Sequence, residues 1–369
     1  METSNAYARI DLDALRSNYR FVKSLNPDKE AICIVKADAY GHGAVPCAKA
    51  LYEEGVRTFA VATLDEAIEL KSEIEGISVL ILGYVDEPRI EEAVKAGVIC
   101  AVYSVEFAEL LSAAAIRAGK MMRVHLKINT GMNRLGFDPS APSFRNSLKK
   151  ISALEGIRVE GAFSHYATAD EEDLSYARRQ RQIFEEAVKA IKDEGIALKT
   201  IHISNSAASM IFDCPVSNAF RPGLVLYGYS PLPGGEMQEK LRPVMSVHVH
   251  VANIFTLKKG ETVGYGRKYT ADSDRLIATV TIGYADGYSR AFSNRACIYI
   301  NGCPAPVRGN VCMDMLMCDI TDIKGVRVGD RADALCREAD AADLAEIAGT
   351  IPYEITCGIS KRVKRYYTE

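Results

Sequence analysis

The stretch Glu30-Ala-Ile-Cys-Ile-Val-Lys36-Ala-Asp-Ala-Tyr40-Gly41-His42-Gly43 decides how the rest of the chain is read. Its first half, with Ile32, Ile34 and Val35, is a short apolar run of the kind that forms a strand buried on both faces. Its second half is turn chemistry: Gly41 and Gly43 bracket His42, and the pattern from 44 to 51 is helical. Lys36 stands where strand meets loop, directly after an uncharged run. A lone lysine at such a place commonly snorkels into water. Held out of water instead, it loses basicity and becomes the nucleophilic amine that a Schiff-base lysine requires.

Outward from this stretch the chain alternates. Apolar runs recur near 31–35, 58–62, 78–82, 98–103, 123–128, 158–163, 200–203 and 223–227, with helical patterns at 64–75, 87–96, 105–118 and 173–194 between them. Alternating strand and helix implies parallel pairing with right-handed crossovers. Eight such units predict a closed eight-stranded (β/α) TIM-type barrel. An open doubly wound sheet is the alternative, disfavoured because no glycine-rich dinucleotide fingerprint follows the first strand. Asp11 or Asp13 is expected to cap a helix running through Val22.

Barrel enzymes carry their chemistry at the C-terminal ends of the strands. The polar residues at those ends here are Lys36, Lys127 with Arg134, His165, His202 with Asn205 and Ser206, and Arg221, which is read as opening the last strand. That clustering predicts an active site without reference to any relative. After Pro231-Leu-Pro-Gly-Gly235 the grammar changes to alternating runs, at 247–251, 277–282, 297–300 and 313–320, with the turn Asn301-Gly302 among them. Residues 1–240 are therefore expected to form the barrel and 241–369 a mostly antiparallel β domain, with 341–348 its helical segment. The strand at 7–11 is left over and is available to the second domain.

The 369 residues are 48% hydrophobic and 25% charged, ordinary values for a globular protein, and suffice for two domains. A net charge of −3 gives no electrostatic reason to expect nucleic acid or an anionic membrane as partner. The start Met1-Glu-Thr-Ser-Asn lacks a signal-peptide pattern, and no apolar run approaches the ~18 residues of a spanning helix. The ten cysteines are dispersed without a zinc-knuckle spacing, and they read as reduced thiols of a cytoplasmic protein.

The segment from Lys36 to Gly43 resembles the cofactor-lysine motif of the alanine racemase family, Lys-Ala-x-Ala-Tyr-Gly-His-Gly. A second stretch, His125-Leu-Lys127-Ile-Asn-Thr-Gly131-Met-Asn-Arg134-Leu-Gly136, is similar to the family's His-Leu-Lys-x-x-Thr-Gly-Met-x-Arg-Leu-Gly. Gly264-Tyr265-Gly266, then Gly283-Tyr284-Ala285-Asp286-Gly287-Tyr288-Ser289-Arg290, then Cys312-Met313-Asp314 match its second domain in order. The resemblance spans about residues 5 to 367. It implies pyridoxal 5'-phosphate held covalently by Lys36, and racemisation of alanine by two bases, Lys36 and Tyr265, supplying D-alanine for peptidoglycan.

The resemblance also implies roles. Tyr40, Asn205, Ser206, Gly223 and Leu224 would serve the phosphate end, with His165 beside the ring. Arg221 would face the ring nitrogen, supported by His202, and as a donor-only group would leave that nitrogen unprotonated. Arg134 would bind the phenolic oxygen and the substrate carboxylate, oriented by a carbamylated Lys127. Met313 would offer its amide to the substrate, and Tyr284, Arg290, Asp314 and Lys361 would support or line the entrance. A hydrogen-bond relay through His165 to Arg221 would assist Tyr265. A homodimer with shared sites is implied too.

Three positions depart from the pattern: Asn129 for a common aspartate, Asn310 for an entrance arginine, and Lys361 for a tyrosine near the phosphate and substrate methyl. The alternatives are a serine racemase of the same family, a decarboxylase of the same architecture, and a non-catalytic pyridoxal-phosphate carrier. The serine-led phosphate segment and the Arg221 segment fit the decarboxylase poorly, and a carrier resembles the barrel alone.

Overall fold

The apolar runs become a closed parallel barrel. The computed structural model describes residues 4–369. It divides into two compact units, one of Leu15–Ala39 with Ala44–Leu241, the other of the chain through Ala14, Tyr40–Gly43 and Arg242–Glu369. The second unit thus takes in two short N-terminal pieces besides the segment after 240. Its first strand is β1 (Ala6–Asp11). Asp11 Oδ1 accepts the Ala14 amide at 2.7 Å, so Asp11 caps the helix Leu12–Ser24.

In the barrel unit β2 (Glu30–Ile34), β3 (Thr58–Val61), β4 (Ser78–Ile81), β5 (Ile99–Val102), β6 (Met122–Lys127), β7 (Ile157–Phe163), β8 (Thr200–His202) and β9 (Ala219–Phe220) close in that order. Helices follow most strands, among them Ala44–Glu53, Leu64–Glu73, Val105–Arg117 and Ser175–Asp193. Their starts are chemical: Ser104 accepts the Phe107 amide, and Thr63 with Glu66 forms a capping box.

The eighth strand differs from expectation. It is the two-residue β9, whose Ala219 and Phe220 pair with Glu30 and Ala31 of β2. The run at 223–227 is instead a 3-10 helix, Leu224–Tyr227, with all four side chains buried. Continuous burial makes a helical turn as apolar as a barrel strand, so periodicity alone does not separate them. Arg221 therefore leaves the C-terminal end of the last strand rather than opening it.

The second unit is a mostly antiparallel sheet. It contains β10 (Met245–Leu257), β11 (Thr262–Val263), β12 (Tyr269–Thr270), β13 (Arg275–Val280), β14 (Cys297–Ile300), β15 (Cys303–Pro306), β16 (Leu316–Asp319), β17 (Arg331–Leu335) and β18 (Lys364–Thr368). β1 lies antiparallel to β10, with Ala8 opposite Val247, and parallel to β18. Asn301 and Gly302, at φ 52 and 74, turn β14 back into β15, which is the backbone a two-residue hairpin of right-handed twist requires.

Besides Ala341–Ala348, a second helix, Pro352–Gly358, occurs here, opened by proline at its first position. Gly41 packs against that helix: a Cβ there would meet the Thr356 carbonyl, and Arg365 Nε donates to the Gly41 carbonyl at 3.0 Å. Among the described residues no helix is long and apolar enough to cross a membrane.

Candidate active site

Lys36 leaves the end of β2 half-buried. The four residues after it, Ala37 to Tyr40, all hold positive φ between 52 and 55°, a left-handed turn made without glycine. Residues of this kind favour the right-handed form by ~1–2 kcal/mol each, so the turn is held by its surroundings. Ala39 donates its amide to the Val35 carbonyl at 2.9 Å, and the Ala44 amide donates to Asp38 Oδ1 at 2.8 Å.

Arg221, 3% exposed, is the centre of a buried chain of donors. Its Nη1 donates to His202 Nδ1 at 2.7 Å, and its Nη2 reaches the Ser164 carbonyl at 2.6 Å, the Ile203 carbonyl at 3.0 Å and His165 Nδ1 at 3.1 Å. None of these four bonds uses Nε. Since arginine only donates, both imidazoles accept at Nδ1 and carry their protons on Nε2. His202 Nε2 then donates to His125 Nδ1 at 3.0 Å. Burial without a carboxylate partner brings Arg221 down to about 9, still charged at neutral pH.

Burial, then the neighbouring cations, holds His125 down to about 3 and His202 well below the ordinary imidazole range. Both fold neutral, whereas an unfolded imidazole titrates near ~6.5. Below that pH the unfolded chain binds more protons, so the stability they confer is present above pH ~6.5 and lost as pH falls, by about 1.4 kcal/mol per pH unit for each. The urea midpoint is expected to drop between pH 7 and pH 5. A flat midpoint across that window would show that the folded protein accepts these protons.

Lys127, 7% exposed, ends β6 with its amine 4.5 Å over the Phe163 ring. Burial first, then Arg221 and Arg134, drive its pKa well below the lysine range. After it the chain loops out and returns at Phe137, whose amide donates to the Lys127 carbonyl at 2.9 Å. Gly136 permits the return: a Cβ there would stand 2.7 Å from the Asn129 nitrogen. Asn129 Oδ1 accepts the amides of Gly131 and Asn133, so this asparagine folds the loop that bears the exposed Arg134.

The next strand ends bring in His165 and Ser206. Burial first, then Arg221, Lys127, Arg134 and Lys36 as positive neighbours, holds His165 well below the ordinary imidazole range. Asn205 caps the helix Ser206–Ile211 by accepting the Ala208 amide. Ser206, 5% exposed, accepts the Gly223 amide at 2.9 Å, which ties the segment after β8 to Gly223 and Leu224 after β9. The barrel thus gathers Lys36, Lys127, Arg134, His165, His202, Asn205, Ser206, Arg221, Gly223 and Leu224 at its C-terminal ends.

The other expected residues belong to the second unit. Tyr40 is buried there with its ring 5.6 Å from that of Tyr353. Tyr265 is 76% exposed on a turn in which Gly264, Gly266 and Arg267 have positive φ, and Asn310 Nδ2 donates to its carbonyl at 2.7 Å. Tyr284 and Met313 are exposed neighbours: the Tyr284 amide donates to the Cys312 carbonyl and the Ala285 amide to that of Met313. Gly283 allows this approach, since a Cβ would run into both carbonyls. Asp314 pairs with Arg362 at 2.9 Å, while Arg290 and Lys361 are exposed.

Two site residues went unread in the sequence. His125 lies two residues before Lys127 on β6 and so shares its face, a signal that was available. Gln180, fully buried, donates to Thr130 Oγ1 at 3.2 Å and the His165 carbonyl at 3.0 Å, joining the Arg134 loop to the His165 loop. A glutamine on a helix carries no such signal.

The sequence model described as "Alanine racemase, N-terminal domain" matches residues 10–231, and "Alanine racemase, C-terminal domain" matches residues 244–367. The chain belongs to the alanine racemase family. It is 41% identical to the alanine racemase of Clostridium novyi over 98% of this chain and 95% of the relative. The alanine racemase structure from Clostridium difficile superposes with a TM-score of 0.95 at 37% identity, covering 100% of this chain and 97% of that one. That from Bartonella henselae, solved with covalently bound pyridoxal phosphate, has a TM-score of 0.90 at 28% identity, covering 99% and 100%. The residues of this alanine racemase family member suit such a group. Ser206 stands at a helix start, the Arg134 and Arg221 guanidiniums offer donors to anionic oxygens, and Arg221 uses Nε in none of its four bonds.

Proposed function

We propose that the protein is a pyridoxal-phosphate-dependent alanine racemase, in which Lys36 and Tyr265 act as acid and base on opposite faces of one α-carbon. The observation that carries this reading is the barrel mouth, where Lys36, Lys127, His165, Ser206 and Arg221 stand at or just past the C-terminal ends of β2, β6, β7, β8 and β9. Such a mouth is built for a phosphate, a phenolate and a carboxylate. Family membership over the whole chain supports the choice of alanine.

Bound through Lys36, pyridoxal phosphate supplies the electron sink that acidifies an α-proton. Ser206 and the Gly223 and Leu224 backbone hold the phosphate end, with Asn205 shaping that helix start and Tyr40 contributing its phenol. Arg221, donating only and backed by His202, meets the ring nitrogen without delivering a proton. Arg134 binds the phenolic oxygen and the substrate carboxylate. Lys127, whose basicity burial lowers, would take up carbon dioxide as a carbamate, releasing a proton to solvent, and orient Arg134. Lys36 Nζ moves the proton on the face that handles D-alanine, and the Tyr265 hydroxyl on the face that handles L-alanine. Met313 offers its amide to the carboxylate; Tyr284, Arg290, Asp314 and Lys361 line or support the entrance.

The product is D-alanine for peptidoglycan, and ten cysteines outside any disulfide suit a cytoplasmic setting. The deciding experiment is α-proton exchange in D₂O, followed by ¹H NMR over a panel of amino acids. Alanine is expected to exchange and invert fastest; a faster serine would give the role to the serine racemase reading, and no exchange would remove the enzyme altogether.

The exposed Tyr265, Tyr284 and Met313 fit a homodimer in which each β unit completes a partner's site. Mixing inactive Lys36→Ala with inactive Tyr265→Phe subunits is then expected to restore one working site per heterodimer. No recovery after verified subunit exchange would exclude shared sites.

A further inference from the structure

We infer that Glu66 is a positioning residue for Lys36: its carboxylate fixes the first peptide of the left-handed turn that follows the lysine. The inference rests on Lys36 being the cofactor-bearing lysine. Glu66 Oε1 accepts the Ala37 amide at 2.6 Å. That amide belongs to the peptide unit whose carbonyl is that of Lys36, so its direction sets ψ of Lys36 and the angle at which the side chain leaves the barrel. Glu66 Oε2 accepts the amides of Ala62 at 2.8 Å and Thr63 at 3.2 Å. One carboxylate therefore joins the loop after β3 to the turn after β2, two strands paired through Ile34 and Ala60.

Helix capping accounts for only half of this. The capping box of Leu64–Glu73 uses Thr63 and Oε2 of Glu66. It does not require Oε1 to reach a different loop. The recipient explains the reach: Ala37, Asp38, Ala39 and Tyr40 have φ 53, 54, 52 and 55°, and an unfavourable conformation of that length persists only where several contacts determine it. The Val35 carbonyl and the Asp38 carboxylate hold its middle and its exit. Glu66 holds its entry, with a charge-assisted bond.

The test compares Glu66→Ala, Glu66→Gln and Thr63→Ala. Thr63→Ala removes the cap and leaves the Ala37 acceptor. In cofactor-free protein, hydrogen exchange of residues 36–40, read by mass spectrometry, is expected to quicken on the order of tenfold or more in Glu66→Ala and to stay at the wild-type rate in Thr63→Ala. Pyridoxal phosphate affinity is expected to fall on the order of ten- to a hundredfold in Glu66→Ala and to stay at the wild-type value in Thr63→Ala, with Glu66→Gln, which keeps one of the two acceptor oxygens, between wild type and Glu66→Ala in both measurements. Equal exchange and equal affinity in the two alanine variants would overturn the inference. Borohydride labelling distinguishes the underlying reading: if wild-type protein is labelled away from Lys36 while Glu66→Ala still frees residues 36–40, the brace stands and the lysine assignment falls.

Discussion

Lys36→Ala is expected to abolish racemisation and the visible absorption of the bound cofactor together. In the wild type, borohydride is expected to fix pyridoxal phosphate to Lys36 alone. Two lysines stand at the barrel mouth, in different settings. Lys127 is 7% exposed and rests its amine on the Phe163 ring, with burial first and then Arg221 and Arg134 driving its pKa well below the lysine range. Lys36 is half-buried and stands at the foot of a turn whose every residue is held in place. Covalent attachment and one of the two proton transfers depend on the same amine. Losing an acid/base alone slows an enzyme by ~10²–10⁴, and losing the attachment removes the chemistry that the group supplies. Peptide mass spectrometry after reduction and digestion reads the outcome. Label on Lys127, or on no lysine, would overturn the assignment.

Where local chemistry and tertiary demand coincided, the sequence was readable. The run Ile32 to Val35 predicted β2, and a charged residue straight after it could only lie at a strand end. Lys127, His165 and His202 follow the same rule on β6, β7 and β8. The turn after Lys36 was not readable in its handedness, because Ala-Asp-Ala-Tyr has no glycine and nothing local favours positive φ. What braces its entry is distant in the chain, the Glu66 carboxylate on the Ala37 amide.

The two residues of β9 are too few to show any period, and the buried Leu224–Tyr227 run imitates a strand. Its job there is tertiary: the Tyr227 hydroxyl donates to the Ile34 carbonyl at 2.9 Å, beneath Lys36. The departures at Asn129 and Asn310 acquire roles only in three dimensions, one folding the Arg134 loop and the other holding the Tyr265 carbonyl. Lys361 is exposed, and nothing in the structure explains its replacing a tyrosine.

Tyr265→Phe is expected to slow racemisation by ~10²–10⁴ in both directions, while leaving one half of the proton chemistry running. A base on one face removes an α-proton and returns it only to that face, so inversion requires a second group opposite. A phenol titrates near ~10, and a tyrosine that works at neutral pH draws on a donor that favours its anion. The relay expected for Tyr265 needs a neutral imidazole with a proton to offer. His165 meets that condition: burial and four cations keep it below its usual range, and Arg221 occupies its Nδ1, leaving the proton on Nε2. Replacement by phenylalanine keeps the ring and deletes only the hydroxyl. Lys36 remains, so D-alanine is expected to go on trading its α-proton with solvent, without inversion, faster than L-alanine does. The measurement is deuterium uptake into each enantiomer by the cofactor-loaded variant. Equal uptake into both at the wild-type rate would show that Tyr265 is not the second base and that another group serves the face opposite Lys36.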